Sequence, residues 1–167
     1  MKMWQISFNY NIWFTSITLA LSGLVFAFFV YRLIGSLVSE KIREKLAAEV
    51  EASEATIIPR TKKEKRFWAI ISFSAGTCEE IVFRGFLVFL LQAVFPDISI
   101  VVIMLATFVT FGLGHIYQGL QGVISTGILA VLFMSLFLVT GSLIFPMILH
   151  FILDLSQTFV LSEKRTL

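Results

Sequence analysis

The 167 residues are 57 % hydrophobic and only 14 % charged, with 18 phenylalanines and a mean hydropathy of +0.91; soluble domains carry about a quarter charged residues, so the composition places the chain in a membrane. The formal net charge of +2 and the placement of the cations give no basic surface for nucleic acid, and a single cysteine excludes an intrachain disulfide framework. The fold class expected is all-α: a polytopic membrane helical bundle of about five transmembrane helices with a short cytoplasmic amphipathic and basic segment.

In chain order, Ile12 to Ile34 is the first spanning candidate. Trp13 lies near one end and Tyr31-Arg32 near the other, the arrangement of aromatic belt and snorkelling cation found at two interfaces. It reads as a retained helix, since a cleaved signal peptide has a shorter apolar region and a small-residue cleavage site. From Gly35 to Arg66 the chain turns polar. Val38, Ile42, Leu46 and Val50 recur every four residues among charged neighbours and predict a helix with a narrow apolar stripe. After Pro59 come Arg60, Lys62, Lys63, Lys65 and Arg66, a topology signal that also suits anionic headgroups.

Nine of the 13 Lys and Arg residues fall between Arg32 and Arg66, which puts this connection in the cytoplasm. By alternation the N-terminus is outside and the helix Ile70 to Phe95 runs outward to Pro96-Asp97. Ile98 to about Tyr117 returns, Gly122 to Thr140 goes out, and Ser142 to Leu161 comes back to a cytoplasmic Lys164-Arg165. The expected segments are therefore an N-terminal transmembrane helix (1–37), a cytoplasmic amphipathic helix and basic linker (38–66), a transmembrane core (67–162) and a cytoplasmic tail (163–167). An integral protein of a prokaryotic plasma membrane fits this plan.

Within Ile70 to Phe95 three charges sit in a run apolar enough to span ~30 Å of hydrocarbon at ~1.5 Å per residue. Each costs roughly 2.5 to 3.5 kcal/mol even on the lenient insertion scale. Glu80 and Arg84 are four apart and share a face, where they neutralise each other. Glu79 points about 100° away, so its charge must be met from another helix, by a donor, cation or metal, or by protonation. Each outcome suits water activation. The neighbouring Cys78 reads as a small packing residue, because adjacent carboxylates oppose the thiolate that a nucleophile needs.

The only two histidines lie in later apolar segments. His115 follows Phe111 by one helical turn in Phe111-Gly112-Leu113-Gly114-His115, where the two glycines permit close helix approach. On its own such a histidine reads as a packed, hydrogen-bonded residue. His150 and Asp154 are an i, i+4 pair in which the carboxylate can orient the imidazole, and Pro146 upstream is expected to kink that helix. With neutral histidines, three carboxylates against one guanidinium sum to −2 among these residues. A low-dielectric interior rejects that charge, which implies a protonated group or a bound cation.

Glu79-Glu80-x-x-x-Arg84, Phe111-x-x-x-His115 and His150-x-x-x-Asp154, in order on successive hydrophobic segments, resemble the CAAX protease and bacteriocin-processing family of intramembrane proteases, also called the Abi family. The resemblance covers about Ile70 to Asp154, including Phe83-Arg84-Gly85 and His115-Ile116-Tyr117-Gln118-Gly119. It implies peptide-bond hydrolysis in the membrane, with Glu79 as general base, His115 sharing the attacking water, and His150 with residue 154 binding the oxyanion. Glu80, Arg84 and Phe111 would be structural support. The best-understood prenyl-protein endopeptidases of the family carry Asn where this chain has Asp154, although other members resemble this chain; an ionised Asp cannot donate to an oxyanion, so Asp154 must be protonated, orient His150 or bind a metal.

The function expected is an intramembrane endopeptidase acting on a membrane-associated peptide or protein, prenylated or not. CAAX-type processing, peptide or bacteriocin maturation and immunity all fit, with membrane lipids as the other partner. The alternatives are a catalytically silent membrane scaffold and a small ion or proton transporter, the latter disfavoured by the lack of an internal repeat. No cofactor is expected. Zinc stays open, with Glu79, His115 and His150 as its candidate ligands, but no paired-histidine helix motif is present.

Overall fold

The computed structural model describes residues 11–52, 59 and 61–158, and among these every regular element is helical. The elements are α1 (Ile12–Val38), α2 (Glu40–Ala52), α3 (Lys62–Glu80), a π-helical segment (Ile81–Phe86), α4 (Leu87–Val94), α5 (Ile100–Gly114), a 3₁₀ turn (Ile116–Gln118), α6 (Gly119–Thr140) and α7 (Ile144–Thr158). Ile12–Val38 and Ile116–Thr140 are long and apolar enough to cross a membrane, and Ile100–Gly114 and Ile144–Ser156 are shorter apolar helices. Together with the run from α3 to α4 these make five hydrophobic helical passages and one polar helix, an all-α membrane bundle.

The chain divides into two compact units. One comprises residues 1–23 and 78–147, the other residues 24–77 and 148–167. In the second unit the polar helix begins one residue after α1. Ser39 makes the break: its carbonyl accepts from Arg43 N and its Oγ accepts from Ile42 N at 3.4 Å. The chain bends enough there for Ile42 to lie on Gly35, where an added Cβ would meet Ile42 Cγ2 at 3.0 Å. Leu46 is buried, whereas Val38, placed by its spacing on the same stripe, is 78 % exposed. The bend at Ser39 removes Val38 from the α2 register, while the side chain of Val50 and the tail Lys164-Arg165 lie outside the described residues.

The helix α3 opens on a capping box. Thr61 Oγ1 accepts from Glu64 N at 3.2 Å and Glu64 Oε2 accepts from Thr61 N at 3.1 Å, so two of the amide groups left over at a helix start are satisfied reciprocally. On α7, Pro146 falls in the first turn, two residues after the helix begins at Ile144. A missing N–H is harmless in a first turn, so the expected kink does not form; Pro146 is instead a buried residue of the helix start.

In the first unit, α5 and α6 are an antiparallel hairpin. An added Cβ on Gly112 would meet Val123 O at 2.7 Å, and one on Gly127 would meet the Phe108 ring at 2.8 Å; these two approaches lie on a single antiparallel register. Gly114 has open space around it, so close packing belongs to Gly112 alone of the expected glycine pair. Residues Phe133 to Leu138 of α6 are buried without interruption, as in a helix enclosed on every side, and Met134, Phe137 and Leu138 form the core with Val88 and Ile103. Gly141, at φ +63°, ends α6 with its N–H on Phe137 O at 2.8 Å.

Candidate active site

The path from α3 into α4 is continuous but not uniformly α-helical. Immediately after Glu80 it widens into the π segment, where Leu87 N–H bonds to Val82 O, five residues back. Arg84 and Gly85 sit inside this widened turn and both are buried. π turns inside α-helices concentrate at functional sites. This one was not foreseen from the sequence, which treats Ile70 to Phe95 as a plain α-helix.

Arg84 occupies the centre of the first unit's polar group. Its Nη1 lies 3.0 Å from Glu80 Oε1, with both side chains 0 % exposed, and its Nη2 donates to the backbone carbonyl of Ala130 on α6 at 3.3 Å. The guanidinium lies over two rings, with Cζ 4.8 Å from the Phe111 centroid and 5.4 Å from that of Phe133. A planar, weakly hydrated cation suits such a slot, in which aromatic faces replace part of the lost water. Glu79 acts electrostatically on the same guanidinium yet keeps partial exposure, where Glu80 has none. The two adjacent residues are thus placed differently: Glu80 is closed in against Arg84, whereas Glu79 lies outside that pair, half-buried as a residue and with its Oε2 buried. Cys78 is exposed, not the packed residue expected of it.

His115 stands just beyond α5. Its backbone, at φ −105° and ψ 20°, has left the helix, which therefore stops short of the expected Tyr117. The ring turns back: Nδ1 is 2.9 Å from Phe111 O. A carbonyl only accepts, so Nδ1 carries a proton, and in the neutral imidazole Nε2 is then the nitrogen with the lone pair. The imidazole stacks on Phe111 at 4.7 Å between centroids and 29° between planes, and Phe83 meets Phe111 edge-on at 4.9 Å. Phe111 is thereby the shared wall between Arg84 and His115. Phe83, Phe133 and the Ala130 carbonyl belong to this group too, and only an aromatic near a buried Arg could have hinted at them.

The second unit holds the other pair. On α7, His150 Nε2 lies 3.6 Å from Asp154 Oδ2, with side chains 7 % and 24 % exposed. Trp68 of α3 donates its indole N–H to the backbone carbonyl of Asp154 at 3.3 Å, and Phe73 meets Phe151 edge-on at 6.0 Å. These contacts fix the turn of α7 that carries the pair. Trp68 is a residue whose tie to Asp154 no local spacing could reveal.

Glu79, Glu80, Arg84, Phe111 and His115 therefore belong to one unit, and His150 and Asp154 to the other. Among the described residues no three His, Cys, Asp or Glu side chains come together as a metal-holding group.

The family model described as type II CAAX prenyl endopeptidase Rce1-like matches residues 63–156, more than half of the chain and all three motifs. No curated protein and no solved structure matches it. With the motif residues falling inside that match, on apolar helices of an all-α bundle, the chain belongs to the Rce1-like family of type II CAAX prenyl endopeptidases and is an integral membrane protein.

Proposed function

We propose that the protein is an intramembrane endopeptidase that hydrolyses a peptide bond of a membrane-associated substrate with water activated by Glu79. The observation that carries this reading is the contrast inside the first motif: Glu80 is fully enclosed in its pair with Arg84, whereas Glu79, next to it, lies outside that pair, half-buried as a residue and with its Oε2 buried. Glu79 takes a proton from water, whose oxygen attacks the scissile carbonyl carbon; the C–N bond then breaks and the amine leaves with the proton that Glu79 held. General-base help of this kind contributes roughly 10² to 10⁴-fold. His115 accepts the second hydrogen of the water at Nε2, the nitrogen left basic by its bond to Phe111 O. As an imidazolium, His150 donates from Nδ1 to the developing oxyanion while its Nε2 faces Asp154, whose carboxylate orients the ring. Glu80 and Arg84 keep this part of the helix neutral.

The substrate class proposed is a peptide or protein held at the membrane, a prenylated chain end being the form that family membership favours. Bacteriocin or signalling-peptide maturation and immunity use the same hydrolysis. No step is routed through zinc. The proposed orientation, in a prokaryotic plasma membrane, has the N-terminus outside and the basic segment and C-terminus in the cytoplasm; reporters after Glu54 and at Asp97 should read cytoplasmic and external, and the reverse pair would overturn it.

The decisive experiment is incubation of purified protein and its Glu79→Ala variant with a library of prenylated and unprenylated membrane peptides in detergent. Cleavage by the wild type that is lost in an equally abundant, equally folded variant supports the reading. Equal cleavage by both overturns Glu79 as the base, and no cleavage by either overturns the reading in favour of a scaffold.

A further inference from the structure

His115 has left its helix, so neither a regular backbone nor helix packing sets the direction of its ring. Three contacts in the same unit do so instead. Phe111 O holds Nδ1–H at 2.9 Å, the Phe111 ring stacks on the imidazole, and the Tyr117 ring stands at 5.9 Å and 31°. Both ring separations fall within the range of roughly 4.5 to 7 Å over which aromatic pairs attract.

Tyr117 is 64 % exposed, and an exposed tyrosine at a loop usually samples several rotamers. Two features of this chain restrain it. It belongs to the 3₁₀ turn Ile116–Gln118, which is closed by His115 O accepting from Gln118 N at 2.9 Å. Its hydroxyl also accepts from Gln118 Nε2 at 3.1 Å. Gly119, at φ +74°, then redirects the chain into α6 through a conformation that a residue with a side chain rarely adopts. Behind it, the close contact of Gly112 with Val123 fixes the hairpin from which the turn projects.

We propose that Tyr117 is a positioning residue for His115: by standing against the imidazole it keeps the ring turned so that Nδ1–H stays on Phe111 O and Nε2 is presented to the reacting water. This rests on the reading of His115 as a water ligand. If the Tyr117 ring were removed, the imidazole would gain room to rotate about χ1 and χ2, and the proton would be shared between the two nitrogens. Outer groups that orient an active-site histidine typically matter by about 10- to 100-fold.

The protein has only two histidines, so a ¹⁵N-histidine-labelled sample in detergent gives two imidazole patterns, and a His150→Gln background assigns the one from His115. At alkaline pH the wild type should show His115 protonated at Nδ1 alone. Tyr117→Leu should shift it toward an average of the two tautomers and lower kcat by about tenfold while leaving KM within about twofold. Tyr117→Phe, which keeps the ring and loses only the bond from Gln118, should restore both the tautomer pattern and most of the rate. An unchanged His115 pattern in Tyr117→Leu overturns the inference, whatever the rate does. So does a rate loss of the same size in Tyr117→Phe. Should the wild type cleave nothing, the protease reading fails, and the tautomer pattern alone still decides whether Tyr117 positions the ring; if Tyr117→Leu does not fold, Tyr117→Ala in the same labelled form replaces it.

Discussion

Two acid–base pairs in this protein have the same i, i+4 spacing and different degrees of enclosure. Glu80 and Arg84 are 3.0 Å apart with no exposure, and the guanidinium is further held by the Ala130 carbonyl and two aromatic faces. His150 and Asp154 are 3.6 Å apart, with His150 buried and Asp154 only half-buried. A pair with no exposed surface, closed in by backbone and rings, is out of reach of substrate. The less enclosed pair, with an imidazole that can gain or share a proton, is not closed off in this way. Identical spacing in the sequence thus serves cohesion in one place and chemistry in the other, and the surroundings decide which.

The largest effect should come from opening the closed pair. Arg84→Ala leaves Glu80 buried against apolar rings, so we expect a loss of about 3 to 5 kcal/mol of stability, seen as a collapse of folded protein in detergent. The double replacement Glu80→Leu with Arg84→Met removes both charges and should recover much of the folded yield, since apolar substitution of a whole buried pair is often neutral. Fully abundant but inactive Arg84→Ala would break the comparison, because Arg84 would then act in the chemistry. For the less enclosed pair the expectation is reversed. His150→Gln should cost roughly 10² to 10³ in kcat, the scale of a lost oxyanion donor, at unchanged melting temperature.

Asp154→Asn sharpens the same contrast. An amide in place of the carboxylate still accepts from His150 but no longer as a charge, so a fall in kcat of about tenfold is expected if Asp154 orients the imidazole; an increase would mean that residue 154 itself donates to the oxyanion. In parallel, exhaustive treatment with a permeating chelator should leave the rate unchanged and mass spectrometry should find no stoichiometric zinc. Restoration of a chelator-killed activity by zinc would reinstate Glu79, His115 and His150 as ligands. The smallest effect is assigned to Trp68→Phe, which removes the indole donor from the Asp154 carbonyl and should lower stability by about 1 kcal/mol.

How far these features could be read from the sequence depends on whether they are set by spacing or by a helix end. The two acid–base pairs and the contact of Phe111 with His115 follow from residues four apart, and the all-α membrane class from composition alone. Pro146 was misjudged because its effect depends on where α7 begins, and that is fixed by the carbonyl of Leu143, which accepts from Met147 N, and by Ser142 Oγ, which accepts from Ile144 N. The capping box of Thr61 and Glu64, which was not read from the sequence, is a helix-end feature of the same kind. His115 illustrates the opposite case: spacing gives its neighbour correctly, but only the end of α5 at Gly114 turns its Nδ1 onto a backbone carbonyl and leaves Nε2 basic. The roles of Phe133, Ala130 and Trp68 depend on tertiary contacts between distant segments, which local pattern does not encode.

The π turn also bears on which insertions and deletions this helix can absorb. A π turn is an α-helix with one residue too many, so deleting any single residue between Ile81 and Phe86 would return the path to plain α geometry and rotate one flank against the other by about 100°. Deletions on the Glu80 side of Arg84 would also shorten the Glu80-to-Arg84 spacing to three, whereas deletion of Phe86 would keep it and turn Val88 and Leu91 away from Ile103 and Met134. A single-residue indel scan from Ser72 to Val94 should therefore separate positions that break the charged pair from positions that break the apolar core, with the surplus residue of the π turn marking the boundary.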